Sequence, residues 1–411
     1  VIDKDETDES LLYPKRNTTD ESSTFIIKEL KEAADLLPVT YSGDNWGRIT
    51  KGAALAYCAR IQLYRASPMF NPSNEKKYWE DAYDTYKDVI GLDVYDLHPT
   101  FSDIWKEKGE NNKEIIWFKD YKKGTITHGW DAGNMMRSQA VGDATANCPV
   151  QELVDAFPMK DGTPYVKSNP ETNPYDYRDP RLRETVVWNG DTYGPRKEKV
   201  YTFVSESTDP NSPMYNFDGI DSHQSATSTG YYMRKMKDES LDGTKGDYGY
   251  GKGSYTQWVE LRYAEVLLGL AEAANEIGET EEGVEQIKLI RKRAGILPGE
   301  NKRYGIPENI SVDDFRTLVQ NERYIELAFE DKRYWDLRRW KLAHLKLNNQ
   351  LTAMEIRKKI NGEEISYTYT RRVQRHDKTN KPVFLEKFYF LPLPKEELLR
   401  NPNLEQNEEW K

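Results

Sequence analysis

The histidines, the cysteines and the many carboxylates of this sequence are the side chains that could break bonds or hold a metal. None of the five histidines pairs with another at the spacing of metal ligands. The sequence contains no HExxH, no paired CxxC, no GxSxG elbow and no Walker loop. Two of the 69 acidic residues could meet as the carboxylate pair of a glycoside hydrolase, but no spacing singles out a pair. We therefore predict a protein that is not an enzyme and has neither a cofactor nor a metal site.

Aromatic side chains are a second group that could act chemically, because exposed rings recognise ligands by stacking. The 411-residue chain is polar, with a mean hydropathy of −0.87 and a formal net charge of −10. It nevertheless contains 10 Trp, 27 Tyr and 12 Phe. A chain with so few apolar residues is not expected to bury every aromatic ring in its core. We therefore expect some of these rings to lie at the surface.

The same composition excludes several classes of protein. No stretch approaches the ~18 apolar residues that indicate a transmembrane helix. The acidic balance and the lack of a basic tract argue against a nucleic acid as the main partner. Two cysteines, Cys58 and Cys148, are too few for a disulfide framework in a chain of this length. Cys58 stands in an apolar helical run, so we assign it to the core.

Charged and aromatic residues alternate densely between Glu322 and Trp340. An anion-binding site is one interpretation of the arginines in this segment. Acids and bases recur there at i, i+3 and i+4, however, so they can neutralise each other. We therefore interpret the segment as an ion-pair lattice. Seven tryptophans in this and other helical or strand-like contexts are assigned to the core: Trp46, Trp79, Trp105, Trp117, Trp258, Trp335 and Trp340.

Apolar residues at helical spacing predict the elements that must carry these side chains. The predicted helices run from residue 20 or 22 to 37, from 50 to 66, from about 76 to 90, from 258 to 278, from 282 to 294 and from 312 to 345. Prolines at 38 and 68 and glycines at 278 and 295 mark their ends. Units of helix, short turn and helix with about 34 residues are typical of tetratricopeptide repeats.

Residues 110–256 have a different character, rich in Gly, Pro, Asn, Asp and aromatic side chains. Short strands are predicted at Glu114–Phe118, Thr185–Trp188 and Val200–Val204, with loops between them. An extended tail is predicted over about 360–411. The fold class is thus mainly α, with tetratricopeptide-like helix pairs over about 20–109 and 257–347 carrying a large loop-rich, partly β region. Long loops on a scaffold commonly carry function.

Several segments resemble, in order along the chain, the sequence motifs of one family, SusD/RagB, whose members are surface glycan-binding lipoproteins. The resemblance covers the chain from about residue 20 to its end. The matching segments are Trp46–Arg60, Gln151–Phe157 with Asp161-Gly162, Asp179–Leu182, Leu261–Leu268 with Ala271–Ala273, Arg291–Gly295, Glu322–Trp340, Phe390–Pro394 and Asn401–Asn407. Members of the family have a longer N-terminal part with a lipidated cysteine, so we expect a single domain over 1–411 that lacks this portion.

The resemblance implies a function. It implies non-catalytic capture of an oligosaccharide or polysaccharide at the cell surface. It also implies delivery of that ligand to a SusC-like TonB-dependent transporter in the outer membrane, with a lipid anchor outside this sequence. Three alternatives remain open. They are peptide uptake of the RagB kind, a tetratricopeptide scaffold that binds only proteins, and a carbohydrate-active enzyme.

Rings in the central loops are the candidates for the sugar-binding site that the resemblance implies. A ring face matches the apolar C–H face of a sugar, and Asp, Asn, Gln and Arg match its hydroxyls. The predicted ligand contacts are Trp130, Asp131, Tyr175, Tyr177, Trp188, Asn189 and Tyr193, and the same region also contains Tyr215 and Phe217. Trp130 lies between two glycines, whereas Tyr175 and Tyr177 flank Asp176 in a proline-rich loop.

Overall fold

The computed structural model describes residues 13–139, 145–167, 169–247, 253–374 and 383–411. One of the five histidines noted above, His376, lies outside these ranges. Among the described residues, no helix combines the length and the apolar character needed to cross a bilayer.

Three helices form the N-terminal part of the scaffold, as predicted: α1 (Thr19–Leu36), α2 (Lys51–Ala66) and α3 (Lys76–Ile90). The α1 N-terminus is closed by a capping box, in which Glu21 N donates to Thr18 Oγ1 over 3.1 Å and Thr18 N to Glu21 Oε2 over 2.8 Å. Small buried residues of α2 let both neighbouring helices approach closely. Cys58 is fully buried among them, which confirms its assignment to the core.

The central region contains only short elements. They are β1 (Ile115–Lys119), α4 (Trp130–Gly133), α5 (Gln151–Ala156), α6 (Pro180–Thr185), β2 (Val186–Val187), β3 (Thr192–Tyr193), β4 (Glu198–Lys199), β5 (Tyr232–Met233) and β6 (Trp258–Arg262). The strands pair antiparallel as β1–β6, β2–β5 and β3–β4. The predicted strand at 114–118 is confirmed as β1, and that at 185–188 survives as β2, but 200–204 is not a strand.

The second helical part contains α7 (Tyr263–Ile277), α8 (Thr280–Ala294), α9 (Val312–Glu326), α10 (Arg333–Arg339) and α11 (Ala343–Lys346). The prediction that helix resumes at Trp258 was wrong, because residues 258–262 pair with β1 before the helix begins at Tyr263. The single helix predicted over 312–345 is broken, with Phe329 and Asp331 in left-handed conformations between α9 and α10. Helix α7 packs against α3, α8 and α9, so the helices form the expected pairs.

The extended tail predicted from residue 360 was wrong over much of its length. Strands β7 (Thr352–Asn361) and β8 (Glu364–Val373) form a long antiparallel hairpin, and a short helix α12 (Lys395–Arg400) follows. Gly362, with φ +64°, completes the tight turn. Beyond the hairpin, Glu386–Tyr389 is a 3₁₀ turn rather than a strand.

A buried network of charges joins the loop-rich region to the helices. Glu326 on α9 accepts from Arg181 and Arg262 over 2.7 Å each and from Arg293. Burial alone would raise the pKa of Glu326, but Arg293, Arg262 and Arg181 together lower it. The Glu322–Trp340 segment does belong to an ion-pair lattice, but most of its acids pair with arginines elsewhere in the chain. Among the described ion pairs, only those of Asp336 with Arg323 and Arg339 lie within the segment.

Of the seven tryptophans assigned to the core, three are buried: Trp79, Trp105 and Trp340. Trp46, Trp117 and Trp258 are only half-buried, and the assignment of Trp335 was wrong, since 44% of this residue is exposed.

Candidate ligand-binding site

Three of the predicted ligand contacts meet in a packed cluster. Trp188 is half-buried and stacks on Tyr175, with ring centroids 4.9 Å apart. Tyr175 is 5% exposed, and its hydroxyl donates to the Tyr231 hydroxyl over 3.2 Å. Asn189 is buried, and its Oδ1 accepts from Thr202 N over 2.9 Å. The outer face of Trp188 is therefore the part of this cluster that a ligand can reach.

The other four predicted contacts are dispersed. Trp130 is half-buried and packs edge-on against Trp258, with centroids 5.6 Å apart. Asp131 is buried beside it and accepts from Asp238 N over 2.7 Å, and burial raises the pKa of its carboxyl. Tyr193 is fully buried. Tyr177, 82% exposed, is the most accessible of the seven. The expectation that these residues form one exposed surface does not match their burial.

A larger arrangement of rings and polar groups lies elsewhere in the loop-rich region. Residues 204–223 and the β7–β8 hairpin enclose an open groove of about 930 Å³. Phe217, 39% exposed, and His223 form its aromatic wall, with ring centroids 4.7 Å apart and planes inclined at 31°. Tyr215 also lines the groove. The volume of the groove is within the range of small-molecule binding sites.

Backbone and side-chain hydrogen bonds hold the loop against the hairpin. Val204 N donates to Ile356 O over 2.8 Å, and Lys358 Nζ donates to Pro213 O over 2.7 Å. Asn216 Nδ2 donates to Phe203 O over 2.8 Å, which anchors the residue next to Phe217. The aromatic wall is therefore positioned both by the hairpin and by hydrogen bonds within the loop itself, such as that from Ser222 Oγ to Phe217 O.

The polar side of the groove is an array of arginines and carboxylates. Arg357 binds Glu206 over 2.8 Å and Glu355 over 2.9 Å. Arg372 binds Asp221, and Glu355 over 3.5 Å. Glu355 and Arg357 share one face of β7 because strand side chains alternate. Each cation is matched by carboxylates, so the array attracts neither cations nor anions strongly.

Two buried donor groups in the groove have no hydrogen-bond partner among the described residues. They are His223 Nε2 and Arg372 Nε. His223 Nδ1 accepts from Ser225 N over 3.2 Å, so in the neutral ring the proton resides on Nε2. Both atoms can therefore donate to a bound ligand. No group of His, Cys, Asp and Glu side chains within the described ranges could hold a metal ion.

The sequence analysis did not identify four residues of the groove: Glu206, His223, Arg357 and Arg372. The reason is that the hairpin, against which they assemble, was predicted as part of an extended tail. A signal was present. Gly362 is the first residue of a two-residue loop between two segments of ten residues that pair as strands, and glycine at that position is a hairpin signal.

Comparison with known sequences supports the motifs noted above. A sequence model of the SusD family matches residues 113–410. The chain is 37% identical over 390 residues to SusD-like protein P2 of Formosa agariphila, covering 93% of this chain and 63% of that protein. It is 22% identical to SusD-like protein P25 of the same organism, covering 78% of this chain and 56% of that one. The chain thus spans about three fifths of the length of these relatives.

Solved structures share the same architecture. A SusD-like protein from Bacteroides fragilis superposes with a TM-score of 0.69 at 26% identity, covering 96% of this chain and 72% of that one. A SusD-like carbohydrate binding protein from the same species superposes with a TM-score of 0.74 at 23% identity, covering 97% and 74%. The family model, the curated relatives and the fold agree: this chain belongs to the SusD family.

Proposed function

We propose that this protein binds a neutral oligosaccharide in the groove between residues 204–223 and the β7–β8 hairpin, and that it does so without breaking bonds. The observation that carries the proposal is the pair formed by the exposed ring of Phe217 and the half-buried ring of His223, beside two unpartnered donors, His223 Nε2 and Arg372 Nε. The ring faces suit the C–H face of a sugar, and the donors suit its hydroxyl oxygens.

The charges of the groove support binding rather than hydrolysis. Hydrolysis of a glycosidic bond requires one carboxylic acid that holds a proton and a second carboxylate across the scissile bond. Glu206, Glu355 and Asp221 each form an ion pair with an arginine. None of them stands alone as a proton donor.

Three of the residues predicted from the sequence remain in the proposal as ligand contacts. The exposed ring of Tyr177 and the outer face of Trp188 are proposed as additional contacts for a longer chain of sugars. Trp130 is proposed as a marginal contact, since its ring is half-buried against Trp258. For Asp131, Tyr175, Asn189 and Tyr193 we propose a supporting role, because their burial keeps them from the ligand.

We further propose that the bound glycan is delivered to a SusC-like TonB-dependent transporter and that a lipid anchor outside this sequence holds the protein at the outer membrane. Family membership supports this, as does one structural neighbour that is described as a SusD-like carbohydrate binding protein. Co-purification with a transporter of this type from outer membranes tests it.

A glycan array followed by calorimetry tests binding in the groove. Phe217→Ala and His223→Ala are each expected to weaken binding of the best neutral glycan about fivefold, since the stacking and the hydrogen bond are each worth about 1 kcal/mol. Phe25→Ala on α1, which removes another exposed ring (47% exposed), is the matched control and should bind normally.

Three results would contradict the proposal. One is unchanged affinity in both groove variants. A second is release of reducing ends during incubation with the glycan, which would indicate an enzyme. The third is binding of a peptide library without binding of any glycan, which would indicate the RagB-like alternative.

A further inference from the structure

A second cleft of about 330 Å³ lies on the helical scaffold and shares no residue with the groove. The loop between α1 and α2, the segment from residue 93 to β1, and Gln257 enclose it. Trp46 and Phe118 form an aromatic wall, with ring centroids 4.9 Å apart and planes inclined at 38°. Tyr41 and Tyr95 also line the cleft. It therefore offers ring faces in a space that fits one sugar unit.

Two glycines shape this cleft. Gly47, with φ +89°, has a backbone conformation that other residues rarely adopt, and this turn follows the residue whose ring packs on Phe118. At Gly52 an added Cβ would lie 2.2 Å from the Tyr95 hydroxyl, so only glycine lets that ring lie against α2. The Tyr95 hydroxyl is in turn 3.1 Å from Thr50 Oγ1, the cap of α2. The wall is thus part of the folded scaffold.

A buried acceptor in the cleft has no partner. Gln257 is 2% exposed, and its Oε1 makes no hydrogen bond within the described part of the chain. Its Nε2 faces Asp120 Oδ1 at 3.4 Å, which orients the amide. An unsatisfied buried amide oxygen costs about 1–3 kcal/mol unless a donor reaches it. A ligand hydroxyl would supply that donor.

The charges of the cleft differ from those of the groove. Arg48 and Lys113 line the cleft, are exposed, and form no ion pair with any described residue. The arginines of the groove, by contrast, are all matched by carboxylates. Two carboxylates also line the cleft, Asp93 and Glu110, which accepts from Gly43 N over 2.9 Å, so the cleft differs from the groove in that its cations are unpaired, and not in its summed charge. Two uncommitted cations therefore stand beside the ring pair.

From the rings, the unpartnered amide oxygen and the free cations, we infer that this cleft binds one anionic unit of a polysaccharide. That unit is a sugar ring with a carboxylate or a sulfate ester. The ring stacks on Trp46, a hydroxyl donates to Gln257 Oε1, and the acidic group faces Arg48 and Lys113. The cleft gives the protein a second contact, selective for acidic sugars, that is independent of the groove.

Calorimetry with three probes tests the inference: an oligogalacturonide (carboxylate), a carrageenan oligosaccharide (sulfate ester) and a neutral malto-oligosaccharide. The Phe217→Ala/His223→Ala variant serves as the background, which weakens the groove, so that the binding lost on changing the cleft residues reports the cleft. In this background at least one acidic probe is expected to bind, more weakly at high salt, while the neutral probe does not.

Two changes in the cleft should then abolish the selectivity. Arg48→Gln/Lys113→Gln is expected to weaken the acidic probe about tenfold. Gln257→Leu, which keeps the volume and removes the acceptor, is expected to weaken it severalfold with the salt dependence retained. The control Lys292→Gln/Lys302→Gln removes the same charge from exposed positions outside the cleft and should have no effect.

The inference is overturned if neither acidic probe binds, if the neutral probe binds equally well, or if the cleft variants behave like the control. Preference for one acidic probe identifies the carboxylate or the sulfate ester as the group recognised. Failure of neutral binding in the groove is a separate result, since the groove variants and the cleft variants have no residue in common.

Discussion

The residue Lys237 shows how far burial can alter a single group in this fold. It is 3% exposed, and its Nζ donates to Asn134 O over 2.8 Å and to Met233 O over 3.1 Å. The ring of Tyr193 lies 4.6 Å away. Burial lowers the pKa of Lys237 from 10.5 to about 7, and the charge of Asp131 only partly opposes this. The amine is therefore protonated in the unfolded chain at pH values where the folded protein holds it neutral.

This difference predicts the sign of a pH effect. Between pH 7 and 10.5 the unfolded state binds more protons at Lys237 than the folded state does, so this group makes the free energy of unfolding rise with pH. Below pH 7 the buried amine of Lys237 is charged in the folded state, so the full destabilisation caused by its burial is present. Lys237→Met should remove this rise. Urea unfolding at several pH values measures it, and an equal rise in the variant would contradict the assignment.

Glu265 predicts the opposite behaviour at low pH. Burial opposes its ionisation, but the Arg60 guanidinium, 2.8 Å away, overcomes this and lowers the pKa from 4.5 to about 2. The stabilisation is present above pH 4.5 and is lost as the pH falls towards 2. Glu265→Gln should lower the free energy of unfolding at pH 7 by about 3–5 kcal/mol, because it leaves Arg60 without its buried partner.

The matched control for this prediction is Glu397→Gln, which breaks an exposed pair with Arg400. It should change stability by at most about 1 kcal/mol. If Glu265→Gln shows the same loss of stability between pH 4.5 and 2 as the unaltered chain, the acid sensitivity resides in other groups.

At the scale of elements, the β7–β8 hairpin forms one side of the proposed site, and Gly362 forms the turn that joins its two strands. Nothing lies within 4 Å of a Cβ added at Gly362, so only its φ of +64° opposes a side chain there. Gly362→Val should therefore destabilise the turn by about 1–2 kcal/mol. Hydrogen exchange of the β7 and β8 amides should become faster, and glycan affinity in the groove should fall.

Gly129→Ala is the matched control for the hairpin. This glycine also has open space around it, but its φ is −92°. Exchange in the hairpin should be unaffected. Faster exchange with unchanged glycan affinity in Gly362→Val would show that the groove does not depend on the hairpin.

At the scale of the whole molecule, buried ion pairs hold the loop-rich region on the helices. Arg262, at the end of β6, donates to Glu114 before β1, to Glu326 on α9 and to Glu330 beyond it. Arg262→Gln leaves these carboxylates short of a partner and should cost about 3–5 kcal/mol. Limited proteolysis should then cut the loop-rich region first. Arg400→Gln, at an exposed pair, is the control.

The helical scaffold followed from local pattern. Apolar residues at helical spacing located α1 to α3 within one to three residues, although α1 begins at Thr19 behind the cap Thr18 rather than at residue 20 or 22. The sequence also determined the family, because its motifs lie in order along the chain and the SusD model matches residues 113–410. The helical periodicity and the family motifs are both contained in short segments of sequence. A helix also buries one apolar face whichever element it packs against.

Only the tertiary structure decided where the rings and charges meet. Tyr175 and Tyr193 were predicted to contact a ligand from loops, but Tyr175 is buried in a cluster with the hairpin residue Met354, and Tyr193 in one with Met135 and Tyr232. The pairs Arg357–Glu206 and Arg372–Asp221 join residues 151 positions apart. Contacts between residues so far apart in the chain produce no periodic pattern of residue types from which they could be predicted. The sequence by itself therefore determined the scaffold and the family, and long-range packing decided which side chains face a ligand.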